Sequence, residues 1–180
     1  MTFNEINKAA EHLLQLFAAP RNGSIELPVK VEEIARFLAI NVVAYPLENN
    51  LSGILVIKDG HATIGYNQNE SRNRRRFTVA HEIGHFQMHS ELHKDAVFAD
   101  NNFMVMFRSN TQGDDSETAK REREANIFAA ALLMPEQELM REIHGFRVDL
   151  GDEKHIKELS RKFEVSSTAM YYRLVNLLRR

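Results

Sequence analysis

The sequence predicts an α+β domain in which a small, mostly antiparallel sheet packs on one long helix. Three observations predict this class. Several segments carry apolar residues at the three- and four-residue spacing of amphipathic helices. Residues 52–67, SGILVIKDGHATIGYN, contain two apolar runs separated by Asp59-Gly60, a strong signal for a two-residue β-hairpin. Residues 156–178 form two short helical patterns around a turn, which predicts a helix-turn-helix-like C-terminal subdomain.

The composition is that of a globular protein: the 180 residues are 43% hydrophobic and 27% charged. The 23 basic and 25 acidic residues give a net charge of -2, so we expect no direct binding of nucleic acid. No cysteine is present, and any metal must therefore be held by histidine and carboxylate. No apolar run reaches the roughly 18 residues of a membrane helix, and the N-terminus resembles an amphipathic helix instead of a signal peptide. We expect a cytoplasmic protein.

The first quarter of the chain predicts two helices and a strand. Residues 27–45, LPVKVEEIARFLAINVVAY, begin with a short amphipathic pattern and end in a β-branched run typical of a strand. The preceding segment, residues 3–18, is predicted to be a helix with five apolar side chains on one face: Ile6, Ala10, Leu13, Leu14 and Phe17.

Two longer helices are predicted on either side of a polar loop. The first covers residues 74–93, RRRFTVAHEIGHFQMHSELH, and the second covers residues 117–135, ETAKREREANIFAAALLMP. Residues 108–118 between them are polar and lack periodicity, which predicts an exposed loop or flap. We assign residues 1–140 to the main domain and residues 141–180 to the C-terminal helical subdomain. The core face of the second long helix is predicted to contain Ala125, Phe128, Ala129 and Leu132.

The first long helix carries an HExxH pattern between His81 and His85. At about 100° and 1.5 Å per residue, the two histidines differ by about 40° in direction and about 6 Å along the axis, so both rings can bind one ion. Glu82 points about 60° away from His85, where its carboxylate can take a proton from a water that zinc has acidified. A chance match on a polar helix face is the alternative, because a bare HExxH also occurs in proteins that bind no metal.

A hydrolytic zinc site needs a third protein ligand and an open fourth position. His89 lies about 12 Å along the helix axis from His81, which is too far to share its ion. We therefore predict that His89 forms hydrogen bonds behind the site or in the core, and that His93 lies on the surface. The second long helix supplies Glu122 and Glu124, and helical periodicity does not decide which of them is the third ligand. The alternative is that both glutamates are exposed to solvent and bind no metal.

Three strings resemble, in this order, the ImmA/IrrE family of zinc metallopeptidases: RRRFTVAHEIGHFQMH, EREANIFAAALLMP and LSRKFEVSSTAMYYRL. The N-terminal stretch LPVKVEEIARFLAINV is also similar, so the resemblance spans residues 27–175. It implies a gluzincin-like zinc site with His81 and His85 as ligands and Glu82 as the general base. The third ligand implied by the match is Glu124, directly before Ala125-Asn126, with Glu122 in reserve.

The resemblance also implies a partner, a helix-turn-helix repressor of a mobile element or stress response that is cut as the protein substrate. Tyr66 and His144 are candidates for binding the oxyanion, and the sequence does not choose between them. The rival interpretation is a non-catalytic regulatory or toxin-antitoxin protein whose metal site is structural or empty.

Two features outside the predicted site have competing interpretations. The basic run at residues 72–76 contains four arginines and indicates either a nucleic-acid patch or a solvated face; the net charge favours the solvated face. The C-terminal pattern has an apolar stripe that predicts packing on the domain instead of DNA contact: Leu159, Phe163, Val165, Met170 and Leu174.

Overall fold

A computed structural model describes residues 1–47, 51–89, 96–100, 116–143 and 149–178. These ranges contain seven α-helices and one four-stranded sheet, which confirms the predicted α+β class. None of the described helices combines the length and apolar character that crossing a bilayer requires.

The N-terminal helix α1 (Phe3–Ala18) starts at a capping box. The Thr2 hydroxyl accepts from the Glu5 amide at 3.3 Å, and the Glu5 carboxylate accepts from the Thr2 amide at 2.7 Å. All five apolar residues predicted for its inner face are buried. After a 3-10 turn, the short helix α2 (Val31–Phe37) buries Val31, Ile34 and Ala35 in the same core.

The sheet has the order β1-β3-β2-β4. Strand β1 (Ile40–Tyr45) runs parallel to β3 (His61–Asn67), whereas β2 (Gly53–Lys58) is antiparallel to both β3 and β4 (Ala96–Asp100). Two of the three strand pairings are therefore antiparallel, as predicted, and β4 is an addition to the predicted strands.

The hairpin between β2 and β3 follows from its turn residues. Asp59 and Gly60 have φ angles of 51° and 78°, and the strands pair from Lys58 and His61 onward. A two-residue turn with both φ angles positive matches the right-handed twist of the paired strands. The Asp59-Gly60 prediction is confirmed.

Helix α3 (Arg72–His89) packs on β2 and β3, and α4 (Glu117–Leu133) packs across α3. The Ser116 hydroxyl caps α4 by accepting from the Ala119 amide at 3.2 Å. The predicted continuation of α3 to residue 93 lies outside the described residues, as does most of the predicted loop at 108–118.

Two glycines allow α3 to approach its neighbours closely. A Cβ on Gly84 would lie 3.2 Å from both the Ala125 carbonyl oxygen and the Phe128 ring on α4. A Cβ on Gly53 of β2 would lie 2.2 Å from the Thr78 methyl group of α3. Neither position has room for a side chain without a shift of its neighbours.

Pro135 ends α4 but also starts a helix that was not predicted, α5 (Glu136–Ile143). The Pro135 carbonyl accepts from the Leu139 amide at 2.9 Å, and the missing N–H of proline is tolerated at a helix start. The remaining helices are α6 (Glu153–Phe163) and α7 (Ser167–Leu178), joined by a turn in which Glu164 has a φ angle of 50°.

A buried arginine attaches α7 to the rest of the domain. Arg173 is 3% exposed, and its guanidinium donates to the Met134 carbonyl at 3.1 Å and to the Asn7 side chain at 2.6 Å. The predicted apolar stripe of the C-terminal pattern is buried in the same core cluster as α1 and α4. The boundary between residues 140 and 141 stays a prediction.

Gly84→Val should lower the free energy of unfolding by about 2 kcal/mol, because the added methyl groups meet α4. The thermal midpoint should fall by roughly 4–8 °C. Gln87→Val on the exposed side of α3 controls for the intrinsic helix preference of valine. Equal midpoints for the two variants would contradict the tight crossing of α3 and α4.

Candidate metal centre

Two histidines one helical turn apart bring their rings together on α3. His81 and His85 are each 1% exposed, and their Nε2 atoms lie 3.0 Å from each other. The rings meet edge to face, with centroids 4.6 Å apart. The helical spacing therefore positions two imidazole nitrogens at one buried point, as the sequence predicted.

The Glu122 carboxylate of α4 completes this cluster. One carboxylate oxygen lies 3.1 Å from His81 Nε2, and the other lies 3.1 Å from His85 Nε2. Among the described residues, these three side chains form the group whose donor atoms converge closely enough to hold a metal ion, all within 4.8 Å of one another. The crossing of α3 and α4 at Gly84 brings them together.

The structure brings Glu122, and not Glu124, to the two histidines. Residues two apart on a helix point about 200° apart, so both carboxylates cannot face the same point on α3. Glu124 instead accepts a hydrogen bond from the Met1 amino group, and its second oxygen lies 3.7 Å from His89 Nε2. The assignment of Glu124 as third ligand stays a prediction, and the geometry brings the alternative, Glu122, to the histidines.

Asn126 is a neighbour of the cluster that sequence reasoning missed. Its side-chain oxygen lies 3.0 Å from His81 Nδ1. An amide oxygen only accepts, so His81 Nδ1 carries a proton and its Nε2 faces Glu122. The signal in the sequence was the four-residue spacing, which places Asn126 and Glu122 on one face of α4.

The protonation states suit a metal site. Burial lowers the pKa of His85 below its ordinary value of 6.5. Burial opposes ionisation of Glu122, but its close contacts with the His81 and His85 imidazoles outweigh burial and lower the pKa of Glu122 to about 2. Neutral imidazole and ionised carboxylate are the forms that bind a metal ion.

The donor set fits zinc. Zinc is bound by His nitrogen and carboxylate oxygen at about 2.0–2.2 Å, which separates neighbouring donors in a tetrahedron by roughly 3.3 Å. The observed separations of 3.0 and 3.1 Å are close to this value. A lone pair on His81 Nε2 facing a carboxylate also requires a cation or proton between them.

Glu82 is fully buried where α3 meets β2. One of its carboxylate oxygens would lie 3.0 Å from a Cβ on Gly53, so the missing side chain of that glycine leaves room for the carboxylate.

Tyr66 on β3 is half-buried and pairs in register with Gly53. Its predicted oxyanion role stays a prediction, and His144 and His93 lie outside the described residues.

His89 lies behind the cluster. It is 5% exposed, its ring centroid is 5.5 Å from that of His85, and burial lowers its pKa. Its ring faces Glu124 and does not belong to the convergent donor group. This placement agrees with the expectation that His89 is not a ligand of the same ion.

The family Peptidase_M78, IrrE N-terminal-like domain, matches residues 35–175, and the chain therefore belongs to this peptidase family. Uncharacterized immunity region protein 2 of Bacillus phage phi105 is 30% identical over 108 residues, which are 58% of each chain. A Mycobacterium tuberculosis transcriptional regulator shares the fold with a TM-score of 0.56 and 19% identity, over 97% of this chain and 52% of that one. The chain thus spans little more than half the length of these relatives.

In metal-free protein, the His85 imidazole should titrate with a midpoint below 6.5, because burial disfavours its charged form. Proton NMR of the C–H hydrogens of the imidazole rings, recorded after chelator treatment, would measure this midpoint. The signal that is missing from the His85→Gln variant identifies His85. The same chain unfolded in urea should show the ordinary value of about 6.5. A folded midpoint at or above that value would contradict the burial of the site.

Proposed function

We propose that this protein is a zinc-dependent metalloendopeptidase whose ion is held by His81, His85 and Glu122. The observation that carries the proposal is the convergence of two buried imidazole nitrogens with a carboxylate 3.1 Å from both. Membership in a peptidase family favours a hydrolytic site over a purely structural one. The set of two histidines and one glutamate leaves the fourth zinc position for a reactant.

Zinc, when bound, would polarise the scissile carbonyl and acidify a water molecule. In the proposed reaction, the Glu82 carboxylate accepts a proton from that water while the water oxygen attacks the carbonyl carbon. When the C–N bond breaks, Glu82 gives the proton to the leaving amine. The buried position of this carboxylate strengthens its interaction with the charges that develop in the transition state.

Asn126 and Gly84 would support this chemistry without touching the substrate. The Asn126 oxygen keeps the proton of His81 on Nδ1, which leaves Nε2 for the ion. Gly84 sets the approach of α4, and thereby the distance between Glu122 and the histidines.

For the substrate, we propose a regulatory protein with a helix-turn-helix domain that is cut at one site. The phage relative bears the name of an immunity region protein, and the solved structure is that of a transcriptional regulator. Selectivity for one such protein would depend on docking a folded partner.

Glu122→Ala should weaken zinc binding by more than about 100-fold, since even the loss of a supporting hydrogen bond at a zinc site costs 10–100-fold. Glu124→Ala, two residues away on the same helix, is the matched control and should change the affinity less than about tenfold. Competition with a chromophoric chelator measures both. The opposite order would make Glu124 the ligand, and two small effects would move the third ligand outside α4.

Glu82→Gln should retain one zinc ion and the wild-type circular dichroism spectrum but lose proteolysis by about 100-fold or more, because the amide cannot accept the proton. The assay incubates zinc-loaded enzyme with casein and with a helix-turn-helix repressor from the same organism, and follows fragments by mass spectrometry. We expect a single repressor cut by the wild type alone. Casein digestion with the repressor intact would defeat the substrate proposal, and zinc binding with no cleavage at all would favour the non-catalytic alternative.

A further inference from the structure

The run of arginines that begins α3 borders a concave groove of about 430 Å³ between α2 and α3. Its volume lies in the range of about 300–1,000 Å³ that is usual for small-molecule sites. Two carboxylates, Glu32 and Glu33, line the groove together with five cationic side chains: Lys30, Arg36, Arg72, Arg75 and Arg76. We propose that this groove binds a small phosphorylated molecule through its phosphate group.

Arg76 gives the groove an unused donor. Its side chain is 10% exposed, and its Nε donates to the Glu164 carbonyl at 3.3 Å. Its Nη2 is buried and has no hydrogen-bond partner among the residues that the structure describes. A buried guanidinium N–H without an acceptor is unfavourable. Because Arg76 lines the groove, an anionic oxygen bound there would become its acceptor after a small movement of the side chain.

The excess positive charge belongs mainly to Arg36 and Arg75. Neither forms an ion pair within the described ranges; the Arg75 guanidinium lies 5.8 Å from the centroid of the Tyr66 ring. By contrast, Lys30 pairs with Glu26 at 2.9 Å, and Arg72 pairs with Glu164 at 2.9 Å. Guanidinium forks match the geometry of phosphate oxygens, and the first turn of a long helix adds its positive dipole end.

A compact ligand suits this arrangement better than a polynucleotide. Arg74 belongs to the same run but turns away from the groove, with its guanidinium 2.7 Å from the Ser52 hydroxyl and 3.9 Å from Glu70. The basic run therefore does not form a continuous stripe that would follow a nucleic-acid backbone, and the chain carries a net charge of -2. Its cations converge on one concavity instead.

The test is calorimetric titration of the intact protein at low ionic strength with inorganic phosphate and with adenosine 5′-monophosphate, with adenosine as the uncharged control. Both phosphates should bind with a stoichiometry of one, and adenosine should not bind. Arg75→Gln and Arg36→Gln should each weaken phosphate binding at least about tenfold, because each removes a charge-assisted hydrogen bond.

Arg74→Gln is the matched control, since it removes the same charge from the same helix outside the groove, and it should leave the affinity within about twofold. Absence of saturable phosphate binding would overturn the proposal. Equal weakening of phosphate binding by all three variants would also overturn it, because that result would indicate non-specific attraction. Binding of an acidic peptide in the absence of phosphate binding would overturn it as well. Folding of each variant is verified from an unchanged thermal midpoint without phosphate.

Discussion

The close crossing of α3 and α4 at Gly84 determines the rest of this structure. A side chain at Gly84 would meet the backbone of Ala125 and the ring of Phe128 at 3.2 Å, so the two helices stand as near to each other as their backbones allow. This approach lets the Glu122 carboxylate on α4 contact the His81 and His85 imidazoles on α3, because a glutamate side chain is short. The metal-compatible cluster is thus a consequence of packing between two buried helix faces.

Other contacts hold α3 in this position. Because Gly53 has no side chain, α3 packs closely on β2 on the side where Glu82 is buried. At the start of α3, Arg72 and Arg76 contact Glu164 in the turn between α6 and α7, and Asn73 donates to the Val165 carbonyl at 3.1 Å. The C-terminal helices therefore stabilise the start of the helix that carries the histidines, and their apolar stripe is buried in the core cluster instead of exposed.

Local sequence patterns predicted those features that depend on one element. Helical periodicity predicted α1 and α4, the Asp59-Gly60 turn predicted the hairpin, and the four-residue spacing predicted that His81 and His85 meet. The choice between Glu122 and Glu124 depends on how α4 is rotated against α3, and periodicity did not fix that rotation. The motif match favoured Glu124 as the third ligand, whereas the geometry brings Glu122 to the two histidines. Strand β4 was missed because its place depends on pairing with a distant strand, and α5 was missed because Pro135 both ends one helix and begins the next.

The proposed zinc site can be tested by a crystal structure of the zinc-loaded protein, with anomalous diffraction recorded at the zinc absorption edge. We expect one strong anomalous peak within about 2.0–2.2 Å of His81 Nε2, His85 Nε2 and a Glu122 oxygen. A peak coordinated by Glu124, or the absence of a peak between α3 and α4 at saturating zinc, would contradict it.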